Sequence, residues 1–273
     1  MASVISPLDG VVVAYGQQGG GDPALIFVHG LVGDRSDFEA QVSFFGRTHR
    51  VIAVDLPGSG ESGRNRTEWT MAALGGDVAA VADHLGLDDV VLVGHSLGAD
   101  VTVEAAKRLA GQVRALVWVS SYRSLGDLKS EDEIEAWLAP FRTDFEAAMD
   151  DLTRRNFGPD ADPMLVETTV TKARSADPDR VMGLLVSKLE NEPAVLETLS
   201  ALSVPVIAIN PDFKRNDGAL VRGSWCRIEG RTRCRSLHHD RRPRHLQSRT
   251  HRDPQTTRCT PHITALMCGP SMP

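Results

Sequence analysis

The chain has 273 residues, 41% hydrophobic and 24% charged, with a formal net charge of −6. That balance describes one globular domain with an insertion, long enough to bury a sizeable core. No apolar run approaches the length of a membrane span and no basic-then-apolar leader opens the sequence, so the expected address is cytoplasmic, with no membrane partner.

Strand-like apolar runs occur at residues 11–13, 25–28, 51–54, 90–93, 115–119 and 204–209, and helical patterns separate them. This alternation implies a mostly parallel sheet with right-handed crossovers and helices on both faces, an α/β fold. The second run, Ala24-Leu25-Ile26-Phe27-Val28, continues into His29-Gly30-Leu31-Val32-Gly33, a buried strand ending in a glycine-bearing loop that can aim a backbone N–H at a developing oxyanion. His29 precedes the loop and is better placed to order it than to transfer protons. The third run is followed by Asp55-Leu56-Pro57-Gly58-Ser59-Gly60-Glu61-Ser62, a turn by composition. Met71, Leu74, Val78, Val81, Ala82 and Leu85 then mark one apolar face of a crossover helix. Gly75 and Gly76 weaken that helix by about 1 kcal/mol each relative to alanine, which burial on the sheet has to override.

Val90-Val91-Leu92-Val93 leads directly into Gly94-His95-Ser96-Leu97-Gly98 and an amphipathic stretch to Leu109. Strand, tight turn and helix in that order are the setting of a nucleophile elbow. A serine hydroxyl is a weak nucleophile at neutral pH, so it has to stand clear of the sheet where a base can reach it, and Gly94 and Gly98 supply the small flanking positions. The N–H of Leu97 opens the helix beside Ser96; with that of Leu31 it makes a pair of oxyanion donors. From Ser121 to Ser203 strand patterns vanish, and Trp137, Leu138, Phe141, Phe145, Met149, Leu152 and Phe157 fall at helical spacing. Most of these are expected to pack the insertion on the core, and a minority to line a pocket.

The three motifs H-G-L-V-G, D-L-P-G-S-G-E-S and G-H-S-L-G, in that order, resemble those of the α/β-hydrolase fold family. The resemblance covers the first two hundred residues; it is specific for the fold and weak for the substrate. It implies a core at residues 1–120, a helical cap at 121–203 and a core strand with the acid loop at 204–213. It also implies a serine hydrolase acting on an ester or similar carbonyl substrate through an acyl-enzyme, with no cofactor and no metal. Serine at the elbow argues against the aspartate-nucleophile branches of the family. Asp212, in Asn210-Pro211-Asp212 beyond the last strand run, matches the position of the family's catalytic acid, with Asp217 as the fallback. A non-catalytic ligand-binding or regulatory protein on the same fold is the alternative. The oligomeric state is not legible.

After Phe213 the chain changes character: this segment holds 13 of the 30 Lys+Arg but only 4 of the 36 Asp+Glu, together with all four cysteines. A nucleic-acid-binding tail is disfavoured because no aromatic platform interleaves the arginines. A zinc site drawn from Cys226, Cys234, His238, His239, Cys259, His262 and Cys268 is disfavoured because the spacings match no compact knuckle. The favoured reading is translation out of frame over residues 214–273, giving a disordered tail. Bases two and three of each codon joined to base one of the next are compatible with G-V-E from Trp225 to Arg227. From Thr232 to Leu237 they are compatible with P-G-V-G-H, continuing F-(I/T)-M-(I/T)-D-D-P-D-T-F-N-R. That string looks like the family's last strand loop, catalytic histidine and final helix. The histidine then spans the codons of Ser236 and Leu237 and is absent from the chain itself. His238 and His239 lie nearby with no strand and glycine loop to present them. A lost final strand and helix would leave one sheet edge unpaired and one face bare.

Overall fold

A computed structural model describes residues 2–121, 129–202, 204–211 and 226–228. Eight strands form one sheet in the order β1-β2-β4-β3-β5-β6-β7-β8. They are β1 (Ala2–Ile5), β2 (Val12–Gln18), β3 (Ala24–Val28), β4 (Val51–Val54), β5 (Val90–His95), β6 (Val113–Val119), β7 (Val206–Ile209) and β8 (Cys226–Ile228). β1 with β2 and β2 with β4 are antiparallel, and every later pair is parallel. The uninterrupted apolar runs at β3, β4 and β5 are what a parallel sheet buried on both faces requires.

Side chains alternate between two cores. On one face Ile26, Val28, Ile52, Val90 and Leu92 pack with α2 (Met71–His84), α3 (Leu97–Arg108) and Leu184, Val195 and Leu199 of α7 (Pro178–Ala201). On the other, Leu25, Phe27, Val51, Val91 and Val93 pack with Phe38 of a 3-10 turn (Arg35–Phe38) and Phe45 of α1 (Glu39–Phe45). Thr70 caps α2 by accepting a hydrogen bond from the Ala73 N–H.

The two glycines of α2 do different things. A Cβ on Gly75 would stand 2.3 Å from Glu104 Cβ and 2.8 Å from the Ala105 nitrogen, so this glycine lets α2 and α3 touch; a Cβ on Gly76 would meet only the Arg108 side chain, at 3.5 Å. The propensity cost at Gly75 is therefore offset by close helix packing, and the cost at Gly76 is not. Gly76→Ala is expected to stabilise the protein by about 0.5–1 kcal/mol and Gly75→Ala to destabilise it by about 1–3 kcal/mol, read as opposite shifts of the urea midpoint.

Between β6 and β7 the described residues form α4 (Glu131–Thr143), α5 (Phe145–Arg154), α6 (Pro163–Arg174) and α7. Ser130 and Glu133 form a capping box at α4, and Asp162 and Asp177 cap α6 and α7 ahead of prolines in their first turns. Leu138, Phe141 and Met149 are buried with Val181 and Leu185, and this cluster reaches Leu31 and Val32 in the loop after β3. This cluster thus holds the insertion together and seats it on the loop after β3, while Met164 and Leu165 of α6 are exposed.

The sequence leaves β7 as an open edge, whereas β8 pairs with it at three positions, Val206 with Cys226, Ile207 with Arg227 and Ala208 with Ile228. A parallel ladder is made of backbone groups, so a short segment suffices to form one. The expected fate of a final helix concerns residues outside those described.

Candidate active site

Ser96 sits between the end of β5 and the start of α3 with φ 52° and ψ −119°. A non-glycine residue there carries strain on the order of 1–3 kcal/mol, and the surrounding contacts hold it. Its N–H donates to the Val119 carbonyl at 2.9 Å, and its carbonyl accepts from the Ala99 N–H at 3.0 Å and the Ser121 hydroxyl at 2.9 Å. Ser121 is fixed in turn: its N–H donates to Asn210 Oδ1 at 2.9 Å. The ends of β5, β6 and β7 are therefore joined behind the serine.

The flanking glycines are required by close approach. A Cβ on Gly94 would lie 2.5 Å from the Gly98 carbonyl oxygen, and one on Gly98 would lie 2.3 Å from that of Val28. The turn cannot form around larger residues, and this is the physical content of the G-x-S-x-G spacing. The same closeness brings the loop after β3 to the serine, since a Cβ on Gly30 would stand 3.3 Å from Ser96 Cβ. Leu97 is buried as the first residue of α3, where its N–H has no intrahelical partner. Leu31 is half-buried next to Gly30.

His29 is fully buried and bridges two loops. Its Nε2 accepts from the Leu56 N–H at 3.0 Å, which leaves the proton on Nδ1 to donate to the Gly30 carbonyl at 2.7 Å. Burial pushes its pKa down to about 4. It is a neutral strut, as its place ahead of the loop suggests. An unfolded histidine titrates near 6.5 and the folded one near 4, so between these values the unfolded state binds more protons and stability falls as pH falls. The full effect is about 3 kcal/mol, lost between pH 6.5 and 4. His29→Gln is expected to be less stable at neutral pH and to show a shallower slope, what remains belonging to His95, whose pKa burial also lowers, as measured by urea midpoints across the window.

The D-x-P-G-x-G-x-S loop is organised by Asp55. Its buried carboxylate accepts from the Arg35 N–H at 2.7 Å, from the Arg35 guanidinium and from the Glu61 N–H at 3.0 Å. Ser62 Oγ donates to the Asp55 carbonyl and accepts from the Ala14 N–H at 2.8 Å. Aspartate and serine here shape the loop rather than carry chemistry.

Asp212 and Asp217 lie outside the described residues, as do the tail histidines and the cysteines weighed as zinc donors, except that Cys226 is placed as the first residue of β8. Among the described residues no group of three or more His, Cys, Asp or Glu could hold a metal, and no helix is long and apolar enough to cross a membrane. Ser121 and Asn210 carried no signal in the sequence, because their role depends on three strand ends meeting.

Residues 23–192 match the family model described as alpha/beta hydrolase fold. The chain belongs to that family. Among its relatives, this alpha/beta hydrolase is 37% identical over 119 residues, 43% of each chain, to a non-heme haloperoxidase of Rhodococcus erythropolis. It is 33% identical over 113 residues, 41% of this chain and 30% of the other, to the dihydrolipoyllysine-residue acetyltransferase component of an acetoin cleaving system of Cupriavidus necator. These matches span less than half the length of either relative. An esterase of Exiguobacterium antarcticum superimposes with a TM-score of 0.72 at 17% identity, covering 84% of this chain and 90% of that one, a likeness of fold.

Proposed function

We propose that this alpha/beta hydrolase is built as a serine hydrolase for an ester or similar carbonyl substrate, with Ser96 as nucleophile and the N–H groups of Leu31 and Leu97 as the oxyanion hole. The observation that carries this reading is the strained Ser96 backbone, with Gly30 of the loop after β3 packed against it. Ser96 shares its positive φ with Ser120, but its peptide is additionally held by Val119 and Ser121 at the end of β6, and a strained position held in this way is one kept for its geometry.

In the reaction, Ser96 Oγ attacks the carbonyl carbon while a base takes its proton. The Leu31 and Leu97 N–H groups stabilise the oxyanion of the tetrahedral intermediate, the alcohol leaves with the base's proton, and water then hydrolyses the acyl-serine. Asp212 is the proposed acid that orients the base. No described residue is assigned as the base. On the out-of-frame reading of residues 214–273, it is encoded across the codons of Ser236 and Leu237 and never translated as histidine, so the chain as it stands is impaired. The helices between β6 and β7 act as the cap that shapes the substrate pocket.

A fluorophosphonate probe tests the assignment. Slow labelling that disappears in Ser96→Ala is the expected result; labelling that survives the substitution overturns it. A melting shift with small esters without labelling would instead favour a ligand-binding protein on the same fold.

A further inference from the structure

A cavity of about 190 Å³ lies beside the loop after β3, lined by Val32 and Gly33 of that loop, Ser59 and Arg64 of the loop after β4, and Lys172 and Arg180 at the junction of α6 and α7. Three cations meet there in a protein whose described part is acidic. Arg180 is the unusual one: it is only 4% exposed, yet it forms no ion pair among the described residues. Its side chain donates to neutral oxygens, the Pro57 carbonyl at 3.3 Å and Ser59 Oγ at 2.8 Å, with the Trp69 ring 5.8 Å away. Two of five guanidinium donors are thus accounted for.

Burying a charge without a counter-charge is costly. Burial pulls the Arg180 pKa down to about 10, and the nearby Arg64 guanidinium lowers it further against the opposing pull of Asp177. Asp177 also lines the cavity, but its carboxylate accepts from the N–H groups of Asp179 and Arg180 as the cap of α7. Arg64 donates to the Gly58 and Gly60 carbonyls, again neutral partners. Lys172 is paired with Asp34. The cavity therefore holds two guanidinium groups bonded to neutral oxygens and a third cation at its rim.

We propose that this cavity is an anion subsite that takes a carboxylate or phosphate group of a small molecule, bound by Arg180 and Arg64 with Lys172 at the rim. Water occupies about 30 Å³ per molecule, so the space suits such a group with a short piece of chain. The subsite shares its loop with the serine: Gly30 faces Ser96 and Gly33, three residues on, lines the cavity. A bound anion also ties the insertion to the core, because Arg180 belongs to α7 and Arg64 to the loop after β4.

The test is calorimetric titration of the full chain with inorganic phosphate at constant ionic strength and neutral pH. Saturable one-to-one binding is expected, weakened about tenfold in Arg64→Gln and again in Lys172→Gln, as loss of a charge-assisted hydrogen bond predicts. Both side chains are partly solvent-facing, so these variants keep the fold where Arg180→Gln, which strips three contacts at once, need not. The absence of saturable binding, or equal affinity in the parent and both variants, overturns the proposal. Titration with monomethyl glutarate and with acetate separates the sources of the anion. Tighter binding of the monoester assigns the subsite to the charged tail of a substrate, and equal binding assigns it to a free anion. None of these readouts depends on turnover, so failure here leaves the reading of Ser96 untouched, and failure of that reading leaves the subsite standing.

Discussion

Returning the segment after residue 213 to its neighbouring reading frame is expected to raise ester turnover by roughly a millionfold, and Ser96→Ala in the repaired chain is expected to cancel the gain. The size follows from the way a triad works as a unit: removing the base alone costs about as much as removing every member, leaving only what the oxyanion donors and substrate binding contribute. Two parts of the proposed machinery lie in the described residues. Ser96 is held at φ 52° and the loop bearing Leu31 packs against it. On the proposed out-of-frame reading, what the repair restores is a group to take the Ser96 proton. The check is initial rates on p-nitrophenyl acetate for the two chains and their Ser96→Ala variants, after the coding DNA has been read in all three frames. Rates within tenfold of each other, or stop codons closing the neighbouring frame before the histidine, would remove the basis for the prediction.

The central strands, the elbow and the two crossover helices were legible because each is a local pattern: an apolar run, a glycine-flanked serine, one apolar helix face. β1 was not. Ala2–Ile5 is four residues long and alternates half-buried with exposed, so it offers no run to notice, and its pairing with β2 supplies what its composition lacks. β2 likewise continues through Gly16-Gln17-Gln18, polar residues carried into the sheet by antiparallel pairing with β4. In these cases tertiary context overrides propensity. At the candidate site the serine and its two loops could be found from motifs, because their spacing is imposed by backbone contact. The residues that hold the serine's peptide could not: Ser121 and Asn210 are 25 and 89 positions from their partners Ser96 and Ser121. Arg180 was equally silent, since an arginine in the first turn of a helix is ordinary until the loop after β4 is folded around it.

The elbow itself should be the least forgiving part of the molecule. In Gly98→Ala the new methyl would be forced to within 2.3 Å of the Val28 carbonyl oxygen and 2.6 Å of that of His29, both backbone atoms at the end of the central strand β3. Neither can rotate away, so the first turn of α3 must move off the sheet, at an expected cost of about 3 kcal/mol in the urea midpoint. The displacement separates the Leu97 N–H from the loop that carries Leu31, so fluorophosphonate labelling of Ser96 should fall even at temperatures where the variant remains folded. Gly94→Ala attacks the same contact from the strand side, its methyl meeting the Gly98 carbonyl at 2.5 Å and Ala99 Cα at 2.6 Å. Because both substitutions are relieved by the same outward shift of α3, the double variant should cost less than the sum of the two, a coupling on the order of 1 kcal/mol. A Gly98→Ala protein within about 0.5 kcal/mol of the parent, or strict additivity in the double variant, would mean that α3 is not seated against β3 as described, and the oxyanion assignment of Leu97 would fall with it.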